Sequence, residues 1–162
     1  ACVLLKFLQT KMNKELINFI LKAKKSTYAG AKGDSKKILS DGSKEFTYAE
    51  GVYVYRDRYF GSDPFAGQEI VFLNNKAIWV MNYRGYILNK TISEKTIYDF
   101  LKQALMKVSK TKPFRGPTKF SASDYRYSSK FSGQSTSFLG IESIHFKNKK
   151  IYELYFHGGI IG

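Results

Sequence analysis

The chain of 162 residues carries 27 lysines and arginines against 13 acids, a formal net charge of +14, and is 43% hydrophobic and 16% aromatic. That composition excludes a disordered chain. The single cysteine, Cys2, excludes an internal disulfide and suits a reducing compartment, and with only His145 and His157 beside it no zinc-type ligand cluster can be assembled, so no metal or cofactor is expected.

The opening "ACVLLKFL" is too short, and too interrupted by Lys6, for a secretory signal or a membrane span. A cytoplasmic protein with no membrane partner is the expectation, and nothing in the pattern sets an oligomeric state. Met12 reads as a natural start, which makes residues 1–11 an N-terminal extension and 12–162 a single domain. "NKELINFILKAKK" (13–25) predicts a helix capped by Asn13, with Leu16, Ile17, Ile20, Leu21 and Ala23 as its apolar face. A polar, glycine-bearing loop follows over 26–37. Alternating β-branched and aromatic residues predict strands near 44–49, 51–59, 68–74 and 77–83, with a short one near 86–90. "SEKTIYDFLKQALMKVSK" (93–110) predicts a second helix capped by Ser93. "TKPFRGPT" then breaks the pattern, and strands near 124–131, 141–147 and 150–157 finish the chain.

The phrases starting at Phe65 and Phe138 match without a gap at Phe65/Phe138, Gly67/Gly140, Glu69/Glu142, Asn75/Asn148, Lys76/Lys149, Ile78/Ile151, Gly85/Gly158 and Ile87/Ile160, always 73 positions apart. "YAG" (28–30) follows the first helix as "FRG" (114–116) follows the second. The expected fold is therefore α+β: a largely antiparallel sheet with two main helices, built from pseudo-repeated α-β-hairpin halves over 13–90 and 93–161. The first hairpin is apolar on both sides and should be central and covered; the second is polar on one face and should lie nearer solvent. For the apolar sets of each hairpin to meet, its loop must hold an odd number of residues.

Strand alternation points Glu69 and Glu142 toward the apolar side, where a carboxylate must be paired, hydrogen-bonded or protonated. Such a glutamate can equally fix a bend or meet a ligand. A unique site should use residues found in one half alone: Arg115 replaces Ala29, Tyr155 replaces Asn82 and His157 replaces Arg84. The expected ligand-binding cleft is lined by Glu69, Arg115, Glu142, Tyr155 and His157, with Tyr28, Arg56 and Trp79 as walls. The sharpest basic concentration, Lys102, Lys107, Lys110, Lys112, Arg115 and Lys119, holds no acid between residues 102 and 119 and is a candidate phosphate-binding surface. Dinucleotide, P-loop, nucleophile-elbow and zincin fingerprints are absent.

"KAKKSTYAG", "YVYRDRYFGSDPFAGQEIV", "IWVMNYRG", "PFRGP", "FLGIE" and "YFHGG" together resemble an uncharacterised bacterial domain family of unknown function, often found C-terminal to Xre-type helix-turn-helix domains in transcriptional regulators. The resemblance places Tyr28, Arg56, Asp57, Phe65, Gly67, Glu69, Trp79, Tyr83, Gly85, Arg115, Glu142, Tyr155 and His157 at motif positions of that family. The resemblance implies a sensing or accessory module and supplies no catalytic residues. The expected function is a ligand-binding or sensor-type domain for a small anionic or zwitterionic molecule. The alternatives are weak, sequence-independent nucleic-acid binding through Lys102, Lys107, Lys110, Lys112 and Lys119, and a hydrolase-like use of Glu69 or Glu142.

Overall fold

A computed structural model describes residues 2–30 and 36–162, with side chains from Lys14 onward. In chain order the elements are α1 (Cys2–Ser26), β1 (Lys37–Ile38), β2 (Lys44–Glu50), β3 (Tyr53–Gly61), β4 (Phe65–Leu73), β5 (Lys76–Ile87), α2 (Glu94–Leu105), β6 (Lys119–Ala122), β7 (Tyr125–Gln134), β8 (Ser137–Phe146) and β9 (Lys149–Ile160). Residue 1 of the expected extension and residues 31–35 of the expected loop lie outside the described residues.

The strands form one antiparallel sheet in the order β1-β2-β3-β4-β5-β9-β8-β7-β6. The fold is thus dominated by its sheet and is not the balanced α+β arrangement built on two main helices that the sequence suggested. Glycine-flanked stretches that read as loops are paired strand, and Gly85 is one reason. It does not end a strand; β5 runs through it, because a β-carbon there would sit 2.6 Å from the Phe65 ring that packs across it.

α1 also departs from expectation. It begins at Cys2, so Asn13 is an interior residue and not a cap. Residues 2–26 contain neither Gly nor Pro, and nothing there interrupts the backbone ladder. α2 starts as read, with the Ser93 hydroxyl accepting from the Thr96 amide. It ends sooner, at Leu105, where Lys107 and Val108 donate to carbonyls three residues back and tighten the last turn. That turn carries Val108 into the core.

The matched phrases form β4–β5 and β8–β9. Phe65 pairs with Gly85 as Phe138 pairs with Gly158, and both ladders slip at corresponding positions, Val71/Phe72 and Ile144/His145. The turns hold two residues each and not an odd number. Asn74–Asn75 and Lys147–Asn148 all have positive φ, the conformation of tight hairpin turns, and the bulge supplies the extra residue that restores the apolar alignment. At the sheet's centre Tyr83 of β5 lies opposite Phe156 of β9.

Both helices pack on one face of the sheet. Leu16, Phe19, Ile20 and Ala23 from α1, and Ile97, Phe100, Leu101, Ala104 and Leu105 from α2, share a single core with Tyr55, Val71, Met81, Tyr127, Leu154 and Phe156. Among the described residues no helix covers the other face. Ile70, Phe72 and Val80 are therefore half-buried there, and the first hairpin is not covered on both sides, while Ile78, at the bulge, packs against the core.

The inner face depends on close ring-to-backbone packing. A β-carbon on Gly140 would lie 2.3 Å from the Phe156 ring and 2.7 Å from the Lys130 carbonyl. Gly140→Ala is expected to destabilise the fold by roughly 1–3 kcal/mol through overpacking, read as a lower urea midpoint with an unchanged slope. An unchanged midpoint would show that this packing does not set how closely the strands approach.

Candidate functional site

The two corresponding glutamates are buried on the helix-covered face and are satisfied differently. Glu142, fully buried, receives a two-pronged contact from Arg115, whose Nη2 and Nε donate at 2.7 and 3.1 Å. The hydroxyls of Tyr127 and Tyr152 donate to it at 2.7 and 3.0 Å. Four donors fill a carboxylate's acceptor capacity. Burial opposes the charge on Arg115, and Glu142 more than offsets this, so the guanidinium stays protonated.

Arg115 is held by its neighbours in "PFRGP". The Phe114 ring stacks on Phe138 at 3.8 Å, and the Gly116 amide donates to the Tyr127 hydroxyl at 2.9 Å. Glu69 instead takes Lys24, from the last turns of α1, in a direct ion pair. Lys24 also donates to the Phe114 carbonyl at 2.5 Å, and Arg115 Nη1 lies 4.0 Å from Glu69. The two ion pairs are thereby joined into one buried cluster. Burial outweighs Glu69 at Lys24 and lowers the ammonium's pKa.

A third carboxylate completes the cluster. Asp57 on β3 pairs across the ladder with Glu69, and its Oδ1 accepts from the Tyr83 hydroxyl at 2.5 Å. Burial, and then the Glu69 charge, raise its pKa from 3.8 to about 7, against the Tyr83 hydrogen bond, Lys24 and Arg115. Asp57 and Tyr83 line a cavity of about 190 Å³. Tyr28, Tyr59, Phe65 and Tyr98 form aromatic walls, and the half-buried Lys44 and Lys102 bring ammonium groups to it. Lys102 Nζ stands 5.4 Å above the Tyr28 ring, and Lys44 Nζ stands 5.5 Å above Tyr59 and donates to the Gly61 carbonyl at 3.0 Å. A smaller cavity of about 20 Å³ shares Tyr28, Asp57 and Arg115 and reaches Lys24 and Glu69.

Of the expected cleft residues, the structure brings together Glu69, Arg115, Glu142 and Tyr28. Glu142 lies beneath the cavity and does not line it. Tyr155 and His157 are exposed on the opposite face, since they alternate with the buried Leu154 and Phe156. Arg56 is on that face too, its guanidinium 5.1 Å over the Phe72 ring. Trp79 is wholly buried in the core, stacked 5.9 Å from Phe138, with its indole N–H on the Ser135 carbonyl at 3.3 Å. Of the two partners that the hydrolase-like reading offers Glu69 or Glu142, His157 does not converge with either glutamate, whereas Arg115 meets Glu142 directly and lies 4.0 Å from Glu69.

The basic tract is divided as well. Lys102 turns toward the cavity, Arg115 is buried against Glu142, and Lys112 donates to the Thr118 hydroxyl. Lys107, Lys110 and Lys119 remain exposed.

Sequence reasoning passed over Asp57, Lys24, Lys44, Tyr59, Tyr98 and Lys102 as cavity or cluster residues. Asp57 had a readable signal. It interrupts the inward stripe Tyr53, Tyr55, Tyr59, where the corresponding stripe Tyr125, Tyr127, Phe131 has Ser129. Lys24 also had one, lying a turn beyond Ile20 on the apolar side of α1.

Because the folded chain retains a proton on Asp57 that the unfolded chain releases near pH 4, folding binds a proton between about pH 4 and about pH 7. This group's contribution to stability therefore falls as the pH rises through that window. Asp57→Asn is expected to remove the fall, so that the variant gains on the wild type between about pH 4 and about pH 7 in urea titrations, with no further gain above that. A stability difference that stays constant across the window, or moves the other way, would contradict the assignment.

No curated protein and no solved structure matches the chain. A family model described as a domain of unknown function, DUF5680, matches residues 57–161. The match opens at Asp57 and takes in Glu69, Tyr83, Arg115 and Glu142, while Lys24, Tyr28 and Lys44 lie before it. The matched segment is most of the chain and holds the greater part of the buried cluster, and the chain belongs to the DUF5680 family.

Proposed function

We propose that this domain binds a small zwitterionic molecule with an aromatic or flat apolar body in the cavity between α2 and the sheet, as a sensor-type module. The observation that carries this reading is the composition of the cavity. One carboxyl, Asp57, lies opposite two ammonium groups, Lys44 and Lys102, with four tyrosines and a phenylalanine between them. An anionic group on the ligand would meet Lys44 and Lys102, and an amine would meet Asp57, whose charge it would favour. The rings give stacking surfaces and hydroxyls for orientation.

The buried glutamates serve a different role. Their lone pairs are engaged by Arg115, Lys24 and the tyrosines, which makes them supports for the cavity wall and removes them from contact with a ligand. A module of this kind, with a closed core and a polar cavity, suits the regulatory attachment that the sequence resemblance implies.

A thermal-shift screen tests the reading directly, because a ligand that binds only the folded state stabilises it by about 2.7 kcal/mol at a hundred times its dissociation constant. Aromatic amino acids should raise the melting temperature more than the matching amines or free acids. Lys102→Ala should weaken the acid-bearing compounds about tenfold, and Asp57→Asn the amine-bearing ones by a similar factor, each about 1.4 kcal/mol. Binding indifferent to both substitutions, or no response to any zwitterion, anion or amine, would refute the proposal.

A further inference from the structure

We infer that the sheet face opposite the helices binds single-stranded nucleic acid. The ladder registers place Phe60, Ala66, Arg84, Tyr155, Ile141 and Lys130 in one row across β3, β4, β5, β9, β8 and β7. In that row aromatic and cation alternate: Phe60, Arg84, Tyr155, Lys130. All four are exposed, Phe60 at 52% and Tyr155 at 51% of their full accessibility. Six strands at about 4.8 Å spacing carry the row over about 24 Å. Non-adjacent bases of a single strand can stack on the two rings, about 14 Å apart at three strand spacings, while the cations meet phosphates along the same path.

The neighbouring row adds groups that hydrogen-bond base edges. Gln68, Asn82 and His157 lie side by side on β4, β5 and β9, with Gln68 donating to Asn82 at 2.8 Å. Arg84 packs over the Tyr86 ring at 5.2 Å and Arg56 over Phe72 at 5.1 Å, so both guanidinium groups are oriented on the surface. Glu153, the acid adjoining the first row, already accepts from Tyr86, Tyr155 and Lys150.

Charge argues for this occupant against others. The buried cluster of Lys24, Arg115, Asp57, Glu69 and Glu142 has a formal charge of −1, so the remaining residues carry +15 of the chain's +14. A second copy of the chain docked here would bring together two faces that each carry Arg56, Arg84 and Lys130. A lipid surface would need a larger contiguous apolar area, whereas Arg84 separates the exposed Phe60 from Tyr155, Ile141 and Leu139, and Lys130 and His157 border that group. This surface is also distinct from the tract at 102–119, which continues from α2 on the opposite side of the sheet.

The test is fluorescence anisotropy of the full chain with a labelled oligothymidylate of about 15 nucleotides, near the upper end of known single-strand site sizes. Duplex of equal length and phosphatidylserine vesicles serve as competing probes. Binding should be salt-dependent and prefer the single strand. Arg84→Ala combined with Lys130→Ala should lower the log–log salt slope by about 1.4, which is about 0.7 per lost phosphate contact. Tyr155→Ala should weaken binding roughly tenfold with the slope unchanged, the signature of lost stacking. Lys107→Ala with Lys110→Ala should change neither. The row's side chains are exposed, and an unchanged melting temperature verifies that each variant is folded. Loss of binding on the Lys107/Lys110 change with none on the row, a preference for vesicles or duplex, or no binding of the single strand at about 50 mM salt would each overturn the inference.

Discussion

Carboxylates inside an apolar core impose the constraint on which the other parts of this structure depend. Strand alternation turns Glu69 and Glu142 inward, where each must be paired, hydrogen-bonded or protonated, and both are met by a cation. Glu142 obtains Arg115 from the loop after α2, and Glu69 obtains Lys24 from the end of α1. To deliver those cations, both helices must lie on the same face of the sheet, and the chain after each must return close to its centre. Phe114 is where the two solutions meet. Its ring packs on Phe138, and its carbonyl takes the Lys24 ammonium. A single cluster thus fixes helix, loop and sheet together.

The cavity follows from a difference between corresponding positions on that scaffold. Where β3 has Asp57 facing Tyr83, the corresponding places on β7 and β9 have Ser129 and Phe156. The Phe156 ring packs onto Gly140, and the Tyr83 hydroxyl approaches Gly67 and reaches Asp57. The ion pairs supply a rigid wall, and Asp57, Tyr83, Lys44 and Lys102 supply groups with capacity left for a ligand. Rigid support beneath a site with one titrating carboxyl near neutrality is a combination suited to recognition.

The inward glutamates were legible because period-2 alternation is a strong local signal, and "IESIHF" shows it plainly. The Ser93 cap and the hairpin positions were legible for the same local reason. The extent of the sheet was not. β1 and β6 are too short to show a pattern, and the glycine in β5 marks a ring packed over the backbone, a tertiary fact that looks like a strand break in sequence. Tyr155 and His157 were chosen as site residues because they differ from Asn82 and Arg84, but alternation with Leu154 and Phe156 sends them outward. Applied to inward-facing positions alone, the same comparison would have singled out Asp57 against Ser129. The pairing of Lys24 with Glu69 spans 45 positions and carries no local signature.

The central claim is that the Arg115–Glu142 pair anchors the loop after α2 to the sheet by direct coupling of the two charges. A double-mutant cycle with Arg115→Met and Glu142→Gln, measured by urea unfolding, tests it most directly. Removing Arg115 alone leaves a buried carboxylate and should cost about 3–5 kcal/mol. The coupling energy should fall near the upper end of measured values, about 2–3 kcal/mol. Additive losses, with coupling below about 0.5 kcal/mol, would show that the two side chains contribute independently and would contradict the account.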